Sequence, residues 1–417
     1  MGAWLLAAAI VAGLAAPPPG PASAGPQSAP RHIFDIGGEV SVLADWLPRR
    51  DVVELRPRLA ADVTIEPAGW LRAHAEGYIE GLAAHRASVG NTIDTYGEVR
   101  EAWVELIANR ADLRAGRGRL VWGRLDEVQP SDVINPLDVT KYLLDGRSEA
   151  RRPVSFVRAR VYPIDGFTIE GVLVPRFERG AYDVLDEASS PFNLLNDLAL
   201  PAGVMVASPE IEAREPGVSW SNPLGGVRVS ATAGRLDFAV AAFEGADGFG
   251  LVAFETFPRF RMYAGDFETV TGEWAIRGEV AAFTGKQLMG VTTPGVVRGR
   301  AIDAGIGFDR RAGEFRVYAT GLFHREWSDE DPGVERKDVT VVASVERSLA
   351  REVHLVRAFV VVNPADRSAF LRGLWRWQVA DNTALEVSAG AFVGTSDDTL
   401  GRFTGRDFAF GRVKVEF

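Results

Sequence analysis

Cysteine is absent from this 417-residue chain, and only four methionines and five histidines are present. Without thiols there is no disulfide framework and no thiolate metal site. His32, His74, His85, His324 and His354 show neither His-x-x-x-His nor His-Glu-x-x-His spacing, so no metal centre is expected. Gly-x-Ser-x-Gly, Walker and dinucleotide fingerprints are missing as well, so no catalytic residue or cofactor is assigned and an enzyme is not expected. An excess of positive charge is also lacking: 46 Lys and Arg stand against 56 Asp and Glu, a formal net charge of -10, which argues against a nucleic-acid partner. Past the first 24 residues no apolar run approaches the roughly 18 needed to suggest a membrane helix. A chain in a membrane would cross it as strands.

The N-terminal stretch reads differently. Ala3 to Ala16 is apolar, Pro17, Pro18 and Pro19 interrupt it, and Ala22-Ser23-Ala24 is a small-x-small cleavage pattern, so residues 1–24 are expected to be a signal peptide despite having no Lys or Arg at the start. Residues 25–33 are expected to form a short periplasmic segment and 34–417 a barrel, with no plug domain ahead of the first strand near Phe34.

What the chain has in quantity is alternation, with 44 Gly, 23 Phe, 10 Trp and 7 Tyr and a mean hydropathy near zero. Val53, Leu55, Pro57, Leu59, Ala61, Val63 and Ile65 share one face, with Glu54, Arg56, Arg58, Asp62 and Thr64 on the other. Leu71, Ala73, Ala75, Gly77 and Ile79 alternate with Arg72, His74, Glu76, Tyr78 and Glu80. The pattern recurs with Arg316 and Tyr318 between Phe315, Val317 and Ala319, and with Arg372 and Arg376 between Leu371, Gly373, Trp375 and Trp377. In lipid the apolar face must point outward, and the charges must line a polar lumen. Arg56, Arg58, Arg72, Glu76, Tyr78, Arg316, Arg372 and Arg376 are therefore the lumen-lining candidates.

Connection lengths alternate too. Short turns fall at Glu66 to Gly69, Ala108 to Ala111, Pro163 to Gly166, Ala233 to Arg235, Thr271 to Gly272, Arg310 to Gly313, Ser348 to Arg351 and Ala380 to Thr383. Longer links lie at Arg86 to Thr95, Arg124 to Arg152, Glu178 to Pro223, Gly285 to Gly295, Glu326 to Arg336 and Gly394 to Gly405. This order predicts an all-β, transmembrane, antiparallel up-and-down barrel of about 18 strands, with about 16 as the alternative, short periplasmic turns and long extracellular loops. Alternation breaks in the strands expected at 96–107 and 351–363. The last strand, Gly411 to Phe417, alternates to its final aromatic residue and resembles the C-terminal signature of bacterial outer-membrane barrels. That resemblance implies the outer membrane as location, a lipid bilayer with lipopolysaccharide as surroundings, and recognition by the barrel-assembly machinery through Phe417.

The chemically dense segment runs from Gly116 to Pro153. Its matching positions Gly116, Arg117, Trp122, Gly123, Asp126, Asp132, Asn135, Pro136 and Asp138 resemble a family of poorly characterised outer-membrane barrels, distantly similar to alginate-export porins. Gly118 stands where that family's pattern leads one to expect Gln. The resemblance implies a channel-like protein and gives no substrate. Independently of it, a loop of this length rich in Val, Leu and Trp is expected to fold inward and narrow the lumen. Asp126, Asp132 and Asp138 are expected opposite Arg147, Arg151 and Arg152, with Arg117, Arg124 and Asn135 as further constriction candidates. The second long loop, near 178–223, is a candidate lid or plug.

The function expected from these features is passive passage of small polar or anionic solutes or an oligosaccharide, since the cations picked out for the lumen outnumber its acids. A structural or adhesive barrel without an open pore is the alternative, with a barrel-borne hydrolase behind it.

Overall fold

The computed structural model describes residues 33–49, 52–86, 90–126, 128–138, 146–181, 224–248 and 257–417. The expected signal peptide, and the second long loop from 182 onward, lie outside them. Among the described residues the architecture is one 18-stranded antiparallel sheet. In chain order the strands are β1 (Phe34–Leu47), β2 (Val52–Ala68), β3 (Leu71–Arg86), β4 (Gly90–Ala108), β5 (Ala111–Gly118) and β6 (Val154–Val161). They continue as β7 (Phe167–Val174), β8 (Leu224–Ala233), β9 (Leu236–Ala246), β10 (Arg259–Thr271), β11 (Trp274–Met289) and β12 (Val296–Ala312). The last six are β13 (Phe315–Trp327), β14 (Glu335–Leu349), β15 (His354–Asn363), β16 (Ser368–Ala380), β17 (Thr383–Val393) and β18 (Phe408–Glu416).

Each strand pairs with its neighbours in sequence, and β1 pairs with β18 from Glu39↔Glu416 to Trp46↔Ala409, which closes the barrel. Closure matters because an open edge in hydrocarbon would leave backbone donors and acceptors unpaired. The seam runs to the final residue, where Phe417 and Gly38 exchange two backbone hydrogen bonds of 3.0 Å. A Cβ on Gly38 would lie 2.4 Å from the Phe417 ring, so glycine is what lets the terminal aromatic lie across the seam.

All eight short turns fall where the sequence places them. Three outer connections escaped it, those joining β1 to β2, β9 to β10 and β15 to β16. The link expected over Arg86 to Thr95 is shorter, because β4 begins at Gly90. The two strands of broken alternation are real, and each has a physical cause. In β4 the register steps from Glu76↔Glu101 to Gly77↔Val99, leaving Arg100 as a bulged residue and reversing the phase on either side of it. In β15 the inward positions Phe359 and Val361 are apolar and buried, so both faces read as hydrophobic.

Face assignment follows the alternation. Val53, Leu55 and Leu59 are exposed on the outside while Glu54 between them is fully buried, and Ile79 is exposed beside buried Tyr78 and Glu80. The interior divides into two. Toward the extracellular ends, aromatic and aliphatic side chains from β1, β2 and β13 to β18 form one dry cluster around Phe370, and those of β6, β7 and β9 to β12 form another around Met262 and Phe283. Toward the periplasmic ends the inner face is charged.

Candidate solute path

The loop between β5 and β6 enters the lumen and touches both dry clusters, through Val128 and Ala150 on one side and Leu120, Trp122 and Ile134 on the other. Its descent is held by β11. Glu279 accepts hydrogen bonds from the amide and hydroxyl of Ser131 at 2.6 and 2.7 Å and from the amide of Arg124 at 3.0 Å. Gly123 makes that approach feasible: its φ is +99°, and a Cβ there would lie 2.6 Å from a Glu279 oxygen. The return of the loop is a single helical turn, α1 (Arg147–Ala150), whose Glu149 meets Arg58 at 3.3 Å and also Arg100. The β4 bulge is what turns Arg100 toward it.

The constriction candidates are placed as follows. Arg124 pairs with wall residues Asp266 at 2.7 Å and Glu268 at 3.4 Å, and Asp126 pairs with Arg277. Asp132 and Arg151 do not face each other across a gap but bond to each other within the loop at 2.7 Å, both buried. Asn135 ties the two limbs together, accepting from the Leu120 amide and donating to the Arg152 carbonyl, each at 2.7 Å. Asp138 joins the limbs through its backbone, its amide donating to Ala150, while the Arg152 guanidinium donates to the Arg179 carbonyl. Arg147 opens α1, and its side chain lies outside the described parts. Arg117 is a correction: flanked by inward Gly116 and Gly118, it falls on the outward side of β5 and bonds Val99 and Glu178. Asp126, Asp132, Arg151 and Arg152 are thus not set against one another as the expected transverse field: Asp126 pairs with the wall, Asp132 with Arg151, and Arg152 with a backbone carbonyl. Burying charges requires pairing them, and the loop pairs them locally or with the wall.

The lumen candidates all sit on the inner face. Arg56 pairs with Glu54 at 2.8 Å, Arg58 stacks 4.0 Å over Tyr78, and Glu76 meets Arg100 and Arg119 at 3.5 and 3.1 Å. Arg72 reaches Glu105 at 3.7 Å, Arg316 is held by Asp309, Arg372 donates to Ser388 at 2.8 Å, and Arg376 lies 3.4 Å from Gln378. Sequence reasoning missed Arg100, Arg119 and Glu149, and it missed the inward fold of the β17–β18 loop, whose Leu400 and Phe403 are buried beside Phe392. The signals were available as an extra residue in the β4 phase and two large apolar residues in a loop otherwise polar.

Below the loop the interior opens. One cavity of about 730 Å³ reaches from Gly37 and Phe417 to Ser148 and Glu149 of the loop, and a second of about 710 Å³ lies among the periplasmic turns, the two sharing Glu346, Leu355 and Arg376. Their cations are Arg58, Arg100, Arg311, Arg316, Arg357, Arg376, Arg412 and Lys414. The carboxylates Glu39, Asp62, Glu76, Glu149, Glu273, Asp309, Glu314, Glu346, Glu352, Glu386 and Glu416 outnumber them. Within these two cavities the balance is acidic, unlike the basic list read from the sequence, because many of their acids sit in turns and on strands outside the alternating segments first considered. Among the described residues no group of three or more His, Asp or Glu side chains converges as metal ligands would.

A closed barrel with an apolar outside, a charged inside and an inward loop defines an outer-membrane β-barrel of porin-like architecture. No protein-family model matches the chain, and no curated protein matches it in sequence. Solved structures agree on the fold. The chain is similar to Pseudomonas aeruginosa OccK7 (OpdD), with a TM-score of 0.50 at 9% identity over 92% of this chain and 97% of that one. It is similar to P. aeruginosa OccK5 (OpdH), again with a TM-score of 0.50, at 10% identity over 92% of this chain and 96% of that one. The finer resemblance to alginate-export porins rests on sequence motifs alone.

Proposed function

We propose that the chain is a porin-like channel through which small polar solutes cross the outer membrane passively, with the β5–β6 loop as its constriction. The observation that carries this reading is the charged periplasmic vestibule, two adjoining cavities of about 710 and 730 Å³, the larger of which reaches the loop. A barrel built only as a support or an adhesin has no use for so large a charged interior space. Because carboxylates outnumber cations along the vestibule, neutral and weakly cationic solutes fit it better than the anions suggested by the sequence.

Reconstitution into planar bilayers tests both parts. Discrete conductance steps are expected, with a reversal potential in a salt gradient that favours cations and fades as salt rises and the Debye length shrinks from about 10 to about 3 Å. Deleting Gln129 to Asp145 should raise the conductance while leaving assembly intact. A correctly inserted deletion variant with unchanged conductance would place the loop off the path. The dry outer half supports a second reading, a sealed barrel, and liposomes that fail to swell in any small sugar would favour it.

A further inference from the structure

Charges that face lipid are rare in this barrel, and those at the extracellular ends of the strands, apart from Arg117 of β5, which pairs with Glu178, are gathered in one sector. Arg259 and Arg261 on β10, Arg298 and Arg300 on β12, Arg325 on β13 and Lys337 on β14 all alternate with buried inner-face residues, so all six point outward. At the same height on other strands the outward residues are Trp46, Val53, Leu371 and Val393. Four acids answer the six cations: Glu244 meets Arg259 at 3.1 Å and Arg261 at 3.4 Å, Asp329 meets Arg300 at 2.7 Å, Glu335 bridges Arg325 and Lys337 at 2.8 and 3.0 Å, and Glu330 accepts from the Arg298 amide at 2.8 Å. Arg325 and Lys337 are direct cross-strand partners, an arrangement of like charges that destabilises a sheet unless an anion lies between them.

Immediately below each of these strands' cations comes an apolar lipid-facing residue, Tyr263, Ile302, Phe323 or Val339. A cationic layer resting directly on the acyl-chain belt, with six cations in this sector of the extracellular side against Arg117 alone on β5 and the ring-stacked Arg310 and Arg347 at the opposite end, matches a molecule with anionic groups at its headgroup and several acyl chains beneath. We propose that the outward face of β10 to β14 is a docking site for the phosphorylated sugar headgroup of lipid A in the outer leaflet. The guanidinium groups suit it because they can meet phosphate oxygens in pairs, and the excess of cations over acids leaves charge for them to neutralise. This site is independent of whether the lumen conducts.

The test uses the full chain in detergent, with bound lipid counted by native mass spectrometry. The probes are diphosphoryl lipid A, its monophosphoryl form and phosphatidylglycerol. Wild type should retain diphosphoryl lipid A preferentially and lose it between 0.1 and 1 M salt as the Debye length falls to about 3 Å. The triple variant Arg300→Ala, Arg325→Ala, Lys337→Ala should bind it about tenfold to 100-fold more weakly. A control pair at the opposite end, Arg310→Ala with Arg347→Ala, should bind as wild type does. Should the triple variant not fold, as judged by migration of unboiled samples, Arg300→Gln alone and the salt series carry the test. Equal retention of phosphatidylglycerol, an equal loss in the control pair, or a change in oligomeric state without a change in lipid would each overturn the proposal.

Discussion

The two halves of the lumen are built on the same strands yet solve opposite problems. Near the periplasm the inner face carries charges in alternating sign, with Arg412 3.8 Å from Glu386 and Lys414 2.7 Å from Glu39, around open space. Near the outside the same strands present Phe408 and Phe410 and, on their neighbours, Phe370 and Phe392, packed against loops. Charge along a lumen can be left solvated and costs little, whereas a loop stays inside a barrel only if burial of apolar surface offsets the entropy of ordering it. The dry half is therefore an anchor and the charged half a passage. Substitutions should separate the two.

The largest effect is expected in the anchor. Phe370 is fully buried, with ring centroids of Phe392 and Phe408 at 4.7 and 6.3 Å. Phe370→Ala should leave a cavity costing about 3 to 5 kcal/mol, lowering the midpoint of denaturant unfolding and exposing the β17–β18 loop to protease. A substitution in the passage of similar size, Arg376→Ala, should leave unfolding nearly unchanged and shift the reversal potential toward stronger cation preference. Equal destabilisation by both would erase the distinction between anchor and passage.

Next in size is the boundary with lipid. Leu59 is about half exposed on the outer face of β2 and Arg58 beside it is turned inward onto Tyr78. Leu59→Arg should cost about 2 to 4 kcal/mol near the bilayer midplane and reduce insertion into liposomes. Arg58→Leu should insert normally and loosen Glu149. Reversed outcomes would mean that β2 is one residue out of register.

These residues also show what the sequence could disclose. Leu59 and Arg58 were legible because lipid outside and polar space inside impose opposite chemistry on adjacent residues. Phe359, Val361 and Phe370 were opaque, since a dry lumen and lipid ask for the same side chains and the period-two signal vanishes. Arg100 disturbed the pattern without revealing why, a bulge being an insertion whose purpose lies on a distant loop. Asp132 and Arg151 read in the sequence as charges opposed across the lumen, yet whether two opposite charges pair or face each other across a pore depends on a fold of the loop that no periodicity encodes. The Glu279 anchor joins residues about 150 apart in sequence, as the 148-residue separation of its bond to Ser131 records.

That anchor gives a smaller test. Gly123→Ala adds a methyl group where φ is +99° and a Glu279 oxygen is 2.6 Å from its position. Strain of about 1 to 3 kcal/mol is expected, confined to the loop. Conductance should become noisier and amide exchange at Ser131 faster, with barrel unfolding unaffected. Quiet channels with wild-type exchange would show that Glu279 yields without consequence.

The smallest effect should appear outside the bilayer, where loops cover the dry half. Asp331, in the β13–β14 loop, gathers the β11–β12 loop by accepting from the amides of Val291, Thr292 and Thr293 at 2.8, 2.8 and 2.7 Å and from the Thr292 hydroxyl at 2.5 Å. The Thr292 hydroxyl and the Thr293 amide hold its carboxyl well below the usual range. Burial pushes Asp366, in the β15–β16 turn, upward, but hydrogen bonds from Ser368 and Thr399 more than offset it, and its pKa is lowered too. A carboxyl depressed by folding contributes stability that is complete above its unfolded value, near 3.9, and is lost as the pH falls through that value toward the folded one. The latches should therefore be indifferent to pH from about 8 to about 5 and loosen below about 4. Amide exchange at Val291, Thr292, Thr293 and Thr399 should quicken over that lower range while the strands stay protected. Asp331→Asn should loosen the β11–β12 loop already at neutral pH and flatten its acid response, leaving Thr399 to respond as before. If acid opens the charged periplasmic half first, with these four amides still protected, the outer loops are not held by their carboxylates and the dry half keeps its cover by packing alone.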